Sequence, residues 1–176
     1  MSTYQIDSAH THAQFKVRHL MISNVKGEFS KVTGTVAFDE GNPSASSINV
    51  SIDVNSINTR EPQRDADLKS ANFFDAAKFP TITFVSKEVV KSGDDSYEVV
   101  GDLTIHGVTQ TIDLDVEELT AEMKDPFGLY RRGASAKTTI LRSDFGIKYN
   151  AALEAGGVVI GDDVHITIDI EMTRPV

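Results

Sequence analysis

Cysteine is absent from the 176-residue chain, and so is tryptophan. Without cysteine the protein can form no disulfide bond and can perform no thiolate chemistry. This absence is compatible with a reducing compartment. The chain also lacks any apolar run that approaches the ~20 residues of a membrane-spanning helix. We therefore expect no transmembrane segment.

The first ten residues, MSTYQIDSAH, lack the features of a signal peptide. A signal peptide needs a basic start followed by an apolar run, and neither is found here. The sequence therefore predicts a cytoplasmic protein. A periplasmic protein whose leader had been removed would present the same N-terminus.

Positive charge is scarce, since 17 Lys and Arg stand against 26 Asp and Glu and the net charge is −9. Nucleic-acid binding needs a basic surface, so this balance argues against DNA or RNA as a partner. It argues equally against docking to a membrane through a polybasic patch.

Apolar and polar residues alternate with a period of two along most of the chain. The segments INVSIDV (48–54) and HITIDIEM (165–172) are clear examples. About eight such segments predict antiparallel sheet with one face in water. Closure into a barrel would leave no strand edge exposed. The expected fold is therefore all-β, a closed antiparallel barrel that uses residues 1–176 as one domain.

Residues 60–80, REPQRDADLKSANFFDAAKFP, interrupt the alternation. They contain helix-forming residues, Ser70 as an N-cap and Pro80 as a stop. This composition predicts one or two short helices.

The inward-facing residues of the predicted strands are mostly aliphatic and of medium size. A barrel of about eight strands is either filled by its side chains or able to hold one small ligand. We expect a lined cavity, with a filled interior as the alternative. Parity alone identifies the lining candidates as Phe15, Val17, Phe29, Phe84, Leu103, Ile105, Ile140 and Ile168.

A series of segments, in order along nearly the whole chain, resembles the YceI-like family of lipocalin-like polyisoprenoid-binding proteins. They are IDSAHTHAQFKVRHLMISNVKGEF, SINTREPQRDADLKSANFFDAAKFPTITFVS, GDLTIHGVTQTIDLDV, ILRSDFGIKYN and GGVVIGDDVHITIDIE. The resemblance implies an extended eight-stranded antiparallel barrel with a helix near one mouth. It also implies an interior channel for a polyisoprenoid or similar lipid tail, no catalytic activity, no cofactor and a possible homodimer.

Two polar residues continue inward-facing rows. His19 follows Phe15 and Val17, and Arg142 follows Ile140. A buried polar group needs a partner, so His19 bonds either a backbone carbonyl or acid of the protein or the head group of a lipid. For Arg142 we expect an ion pair with an acid, and an anionic head group is the alternative. Candidate acids are Asp144, Asp65 and Asp102.

The helical interruption supplies further candidates. If it caps the mouth of the barrel, Arg60 or Arg64 faces a pyrophosphate there, whereas a surface position is the alternative. The pair Phe73 and Phe74 is expected to seal the barrel against the helix, a role that overlaps with contact to a ligand.

His10 and His12 would project two imidazoles from one face of a strand, a workable spacing for zinc or copper. A metal-dependent hydrolase or isomerase is therefore the alternative function. Against it, parity sends both residues outward and His19 to the opposite face, and His106 and His165 lie on wet faces. No GxSxG or phosphate-loop motif is found. We expect neither a metal site nor catalytic residues.

These features together predict a non-catalytic protein that binds an amphiphilic lipid in the barrel interior and carries or stores it. The lipid would be a polyisoprenoid, an isoprenoid quinone-like molecule or a fatty-acid-like chain. A structural barrel without a ligand is the remaining alternative.

Overall fold

The computed structural model describes residues 1–176, and every strand joins one antiparallel sheet. Only one α-helix occurs, α1 (Pro62–Lys69). The strands are β1 (Ser2–Ile6), β2 (His12–His19), β3 (Ser23–Phe29), β4 (Val32–Phe38), β5 (Ser47–Asp53), β6 (Ile57–Asn58), β7 (Thr81–Lys91), β8 (Tyr97–Ile105), β9 (Val108–Glu117), β10 (Met123–Lys124), β11 (Leu129–Leu141) and β12 (Ile160–Pro175).

Eight of these strands close into a barrel, in the order β1-β4-β5-β7-β8-β9-β11-β12. The ring closes because β12 pairs with β1 along one edge and with β11 along the other. The β11–β12 ladder is continuous from the Leu129–Pro175 pair to the Leu141–Asp163 pair. The expected eight-stranded antiparallel barrel is confirmed.

The length of β12 extends the wall of the barrel at one end. Its 16 residues exceed what β1 can cover, and β1 pairs only near Met172 and Thr173. The first part of β12, from Ile160 to Asp169, pairs with β2 instead. The β2–β3 hairpin then continues to β6. We call this end the mouth; the turn after β2 (residues 20–22), helix α1 and residues 142–159 meet there.

The opposite end of the barrel is packed shut by aromatic rings. The rings of Phe38 and Tyr97 meet edge to face with centroids 5.4 Å apart. The guanidinium of Arg132 lies over the Phe38 ring, 5.2 Å from its centroid. Tyr4 is fully buried and donates its hydroxyl proton to Glu122. Any interior space therefore connects with solvent at the mouth.

Helix α1 is short because its ends are set by local chemistry. Pro62 stands at its first position, where the missing N–H costs nothing, and the Glu61 carboxylate accepts from the N–H of Gln63. At the other end, the N–H and hydroxyl of Ser70 both donate to the carbonyl of Asp67. The expected N-cap at Ser70 is therefore wrong, since Ser70 ends the helix. No helix is long and apolar enough to cross a membrane.

Candidate ligand-binding cavity

An apolar cavity of about 440 Å³ occupies the barrel interior. It is lined by 39 residues, of which 31 are hydrophobic. Ligand sites for small molecules commonly have 300–1,000 Å³ and a mostly apolar lining. The half-exposed ring of Tyr149 borders the cavity, which therefore reaches the surface at the mouth. The interior is hollow, and the alternative of a filled barrel does not hold.

Two glycines keep the widest side chains against the wall. A Cβ atom at Gly27 would lie 2.4 Å from the ring of Phe15, and one at Gly101 would lie 2.4 Å from the ring of Phe84. Each ring therefore lies across the backbone of a neighbouring strand at a position where no side chain is present. The two phenyl groups line the bore without crossing it.

Small side chains flank Ile168 on the wall of the bore. Ile168 on β12 is in register with Ala13 on β2 and with Ala136 on β11. The two alanines are buried, whereas Ile168 is half-buried and borders the cavity. This row lies toward the closed end of the cavity-lining part of β12, which runs from Ile160 to Ile170.

The structure places all twelve sequence-predicted site residues on the wall of this cavity. They are Phe15, Val17, His19, Phe29, Arg64, Phe73, Phe84, Leu103, Ile105, Ile140, Arg142 and Ile168. Strand alternation accounts for most of this agreement, since side chains two apart share a face. That these residues contact a ligand stays a prediction.

Arg142 is buried at the mouth and donates to four backbone carbonyls. Its Nε atom bonds the carbonyl of Gly161 at 2.9 Å, and its Nη1 atom bonds those of Ile147 at 3.0 Å and Tyr149 at 2.9 Å. Its Nη2 atom bonds the carbonyl of Ile160 at 3.3 Å. A guanidinium has five N–H groups, so one N–H on Nη2 has no protein acceptor. The side chain thus ties residues 147–149 to the start of β12.

The expected ion pair of Arg142 with Asp144, Asp65 or Asp102 is wrong. No carboxylate forms a salt bridge with Arg142. Asp65 instead accepts hydrogen bonds from Thr59, and Asp102 pairs with a lysine on the outer face. Backbone carbonyls satisfy the guanidinium without neutralising its charge. Burial therefore lowers the pKa of Arg142 below its ordinary value of 12.5, an effect that the negative charge of Asp162 partly offsets.

His19 lies half-buried at the mouth, on the cavity side as its parity predicts. Its imidazole makes no hydrogen bond with the protein. The expectation of a bond to a backbone carbonyl or a buried acid is therefore not met. Both ring nitrogens remain available to solvent or to a polar group of a ligand.

Arg64 reaches the cavity from helix α1, while Arg60 does not border it. The Nε atom of Arg64 donates to the hydroxyl of Thr59 at 2.8 Å, and its Nη2 atom donates to the Thr59 carbonyl at 2.6 Å. The Nη1 atom has no acceptor in the protein. Of the two arginines considered for a pyrophosphate, only Arg64 is placed to meet one.

A chain of aromatic contacts joins the segment after α1 to the barrel wall. The Phe74 ring meets Phe29 edge to face at 5.7 Å, and Phe29 lies 5.6 Å from Phe15. Phe73 packs against Tyr149 at 5.4 Å. Phe73 and Phe74 thus seal the barrel against this segment, as expected from the sequence, and both rings also border the cavity.

Sequence reasoning missed several mouth residues. Tyr149 and Val159 belong to a segment without strand alternation, and Asp67 and Leu68 come from the helix. Parity predicts orientation only within strands, so it contains no signal for these residues. The segments GIKYN and DADLKS belong to the family resemblance but have no strand alternation that would orient their side chains.

His10 and His12 have different acidic partners. The Nδ1 atom of His10 is 2.9 Å from Asp7, whereas the Nδ1 atom of His12 is 3.7 Å from Glu28. Asp7, His10 and Glu171 lie close enough to hold a cation, and His12 is not part of that group.

A guanidinium already occupies the acidic side of that group. Arg131 bonds Asp7 at 2.9 Å and also bonds Glu171, while its Nε atom bonds Asp125 at 2.6 Å. The carboxylates thus have a cationic partner, and no member of this network lines the cavity. The geometry is that of an ion-pair network joining β1, β11 and β12.

This network should make the protein sensitive to acid. Hydrogen bonds from the Leu129 N–H and from Arg131 lower the pKa of Asp125 below 3.8, and those from His10 and Arg131 lower that of Asp7. Because the folded-state pKa values lie below the unfolded ones, the stabilisation is complete above about pH 4 and is lost as pH falls through the folded values.

The variant Asp125→Asn should therefore lower the free energy of unfolding at neutral pH, and its difference from wild type should shrink as pH falls. Urea unfolding at a series of pH values measures this. Asp94→Asn, in an exposed turn without an ion pair, serves as the control. A constant difference between Asp125→Asn and wild type at all pH values would contradict the assignment.

Comparison with known proteins gives consistent matches over nearly the whole chain. A family model described as a YceI-like domain matches residues 4–172. A UPF0312 protein of Pectobacterium atrosepticum is 44% identical over 173 residues, which are 97% of this chain and 86% of that protein.

Solved structures show the same barrel. Burkholderia cenocepacia BcnA superposes with a TM-score of 0.82 at 23% identity, covering 94% of this chain and 98% of that chain. The Campylobacter jejuni YCEI protein gives 0.73 at 33% identity, covering 92% and 91%. A domain from Saccharophagus degradans, described as polyisoprenoid binding and implicated in plant cell wall breakdown, gives 0.72 at 19% identity, covering 98% of both chains.

Proposed function

Because the chain belongs to the YceI-like family and its barrel is hollow, we propose that it binds one amphiphilic lipid in the barrel interior and carries or stores it without catalysis. The lipid is a polyisoprenoid, an isoprenoid quinone-like molecule or a fatty-acid-like chain. The observation that carries this proposal is an apolar cavity whose mouth holds a buried arginine without a carboxylate partner.

The apolar lining supplies the affinity. Each CH₂ group moved from water into such a cavity contributes about 0.8 kcal/mol, so a five-carbon isoprene unit contributes roughly 3–4 kcal/mol before ordering costs. This driving force is not directional, so it selects for chain length and width rather than for a particular chain. Ile168 borders the cavity between two alanines, so it is one of the side chains that a tail in the bore would contact.

The polar groups at the mouth determine which head group the protein binds. Arg142 and Arg64 each retain N–H groups without protein acceptors, and the imidazole of His19 is free. A buried guanidinium without a salt-bridge partner favours an anionic ligand, because hydrogen bonds between charged groups are stronger than those between neutral ones. An anionic head group, a phosphate or a carboxylate, is therefore the best fit.

The solved domain from Saccharophagus degradans supports the class of ligand, since it has the same fold and is described as polyisoprenoid binding. A homodimer stays a prediction from the family resemblance.

Native mass spectrometry of the protein as purified tests the proposal. We expect an adduct with the mass of a single lipid, which denaturing extraction should release for identification. A metal-sized adduct would instead favour the hydrolase or isomerase alternative. If extraction yields no lipid and fluorescent fatty acids fail to bind, the carrier function is wrong and a ligand-free structural barrel is left.

A further inference from the structure

The turn after β2 holds three apolar side chains out into solvent at the mouth. Leu20, Met21 and Ile22 have exposed fractions of 38%, 50% and 75%. The turn is well anchored, since the N–H of Leu20 donates to the carbonyl of Val159 at 2.8 Å and Arg18 donates to the carbonyl of Met21 at 3.0 Å. Exposure of these side chains is therefore a property of the folded hairpin.

The apolar surface continues across the mouth. Met21 packs against the backbone of Gly157, where a Cβ atom would come within 3.0 Å of its side chain. Val158 and Tyr149 in the same segment are also exposed, at 37% and 51%. We call residues 20–22, Tyr149 and Val158 the apolar rim. The rim borders the opening of the cavity, because Tyr149 and Val159 line it.

Basic residues without acidic partners lie on the same β2–β3 hairpin and in the same loop as this rim. Lys16 on β2 is directly opposite Lys26 on β3, and both are exposed. Lys148 is exposed and precedes Tyr149, which belongs to the rim. None of these three lysines, nor Arg18, takes part in a salt bridge. Like charges directly opposite each other destabilise a sheet, so their arrangement is not explained by the barrel's stability.

The acids nearest in sequence to this surface form no salt bridge with the lysines. Glu28, two residues beyond Lys26, lies near His12 instead. Glu154 and Asp163 are exposed and form no salt bridge. In a chain with net charge −9, these lysines therefore remain free to pair with anionic groups outside the protein.

We propose that the apolar rim and its flanking lysines dock the protein on a membrane that contains anionic phospholipid, with the mouth facing the bilayer. Apolar side chains of the rim enter the boundary of the acyl region, and the lysines bind lipid phosphates. The acidic remainder of the barrel faces away from the negative surface. This goes beyond the proposed function, since it names the surface at which the mouth opens; docking of this kind lets an amphiphile pass between bilayer and cavity without crossing water.

Vesicle flotation tests the docking. The wild-type protein should float with vesicles of phosphatidylcholine and phosphatidylglycerol, less with phosphatidylcholine alone, and less at high salt. Since each basic residue near an anionic surface contributes about a factor of five, Lys16→Gln, Lys26→Gln and Lys148→Gln together should lower the partition coefficient about a hundredfold. Met21→Ser with Ile22→Ser should lower it about tenfold.

Matched controls come from the opposite end of the barrel. Phe127→Ser removes a side chain that is 86% exposed, and Lys91→Gln with Lys124→Gln removes exposed, unpaired charges. These controls should bind vesicles like wild type. Native mass spectrometry of every variant shows whether the lipid adduct is retained, so a failure of docking is distinguished from a failure of ligand binding.

Three results would overturn the docking proposal. The first is no flotation of the wild-type protein with anionic vesicles, and the second is an equal loss in the control variants. The third is self-association through the rim, seen by sedimentation velocity as a dimer that Met21→Ser with Ile22→Ser dissociates, in a protein that does not float with vesicles. That result would make a second copy of the chain the occupant of the rim.

Discussion

The variant Ile168→Trp should lose binding of a fluorescent fatty acid while the barrel still folds. Ile168 borders the cavity, so an indole at this position projects into the space that a ligand tail would occupy. Displacing about four methylenes of a ligand costs about 3 kcal/mol, which is roughly a hundredfold in Kd. The added atoms project toward the cavity, so the free energy of unfolding should fall by no more than the roughly 1–3 kcal/mol that is typical of over-packing. Fluorescence titration measures the first effect and urea unfolding the second.

The matched control is Val85→Trp, which adds the same ring on the outer face of β7, where Val85 is 49% exposed. It should bind the fatty acid like wild type. Undiminished binding by Ile168→Trp would mean that the tail does not occupy the barrel interior.

The variant Arg142→Met should be both less stable and less selective for anionic lipids. Methionine is apolar and leaves the carbonyls of Gly161, Ile147 and Tyr149 without this donor, whereas the Ile160 carbonyl keeps its hydrogen bond from Asn150. An unsatisfied buried polar group costs about 1–3 kcal/mol, and water can reach the carbonyls nearest the mouth, so we expect a loss of about 3 kcal/mol. Urea unfolding measures this loss.

Selectivity is measured by comparing a fatty acid with the alcohol of the same chain length at a pH where the acid is ionised. Wild type should prefer the acid by at least about tenfold. A charge-assisted hydrogen bond contributes about 1.5–3 kcal/mol, and the lower figure corresponds to roughly a tenfold ratio of Kd values. Arg142→Met should bind the two ligands nearly equally. Arg142→Lys keeps the charge but lacks the planar fork, so it should lose stability yet retain part of the preference.

Lys87→Gln is the control for charge, because Lys87 lies outside the barrel and pairs with Asp102. It should leave the preference for the acid unchanged. If Arg142→Met still prefers the acid as strongly as wild type, Arg142 holds the loop in place but does not recognise the head group.

His19 and Arg142, which continue inward-facing rows, show what strand parity can and cannot predict. Parity places His19 and Arg142 on the cavity side, and both border the cavity. It cannot identify their partners. The acceptors of Arg142 are the main-chain carbonyls of residues 147, 149, 160 and 161, and every residue type has such a carbonyl. The prediction of an acidic partner was therefore wrong although the prediction of orientation was right.

Helix α1 shows a similar division. The composition of residues 60–80 indicates a helix, and Pro80 stands where strand structure resumes. The residue Ser70 can cap either end of a helix through its hydroxyl, and only the position of Asp67 one turn earlier decides that it caps the C-terminal end. Residues 71–79 then form turns, because Phe73 and Phe74 pack against rings at the mouth.

The net charge of −9 illustrates the limit of composition. It argues against a basic docking surface, yet Lys16 and Lys26 come together because β2 and β3 pair in this register. Composition sums charge over the whole chain, whereas a surface depends on which residues the fold makes neighbours. In the same way, no spacing in the sequence indicates that Arg131 meets both Asp7 and Asp125.

The sequence by itself determined the all-β class, the closed barrel and, through strand parity, ten of the 39 residues that line the cavity. These follow from alternation with a period of two, which is a local property of a strand. Only the tertiary structure decided that the bore is hollow, that its mouth lies beside the β2–β3 hairpin and that Arg142 is buried without a salt-bridge partner. Those features depend on register, ring closure and the packing of side chains from distant segments, and local sequence patterns do not predict them.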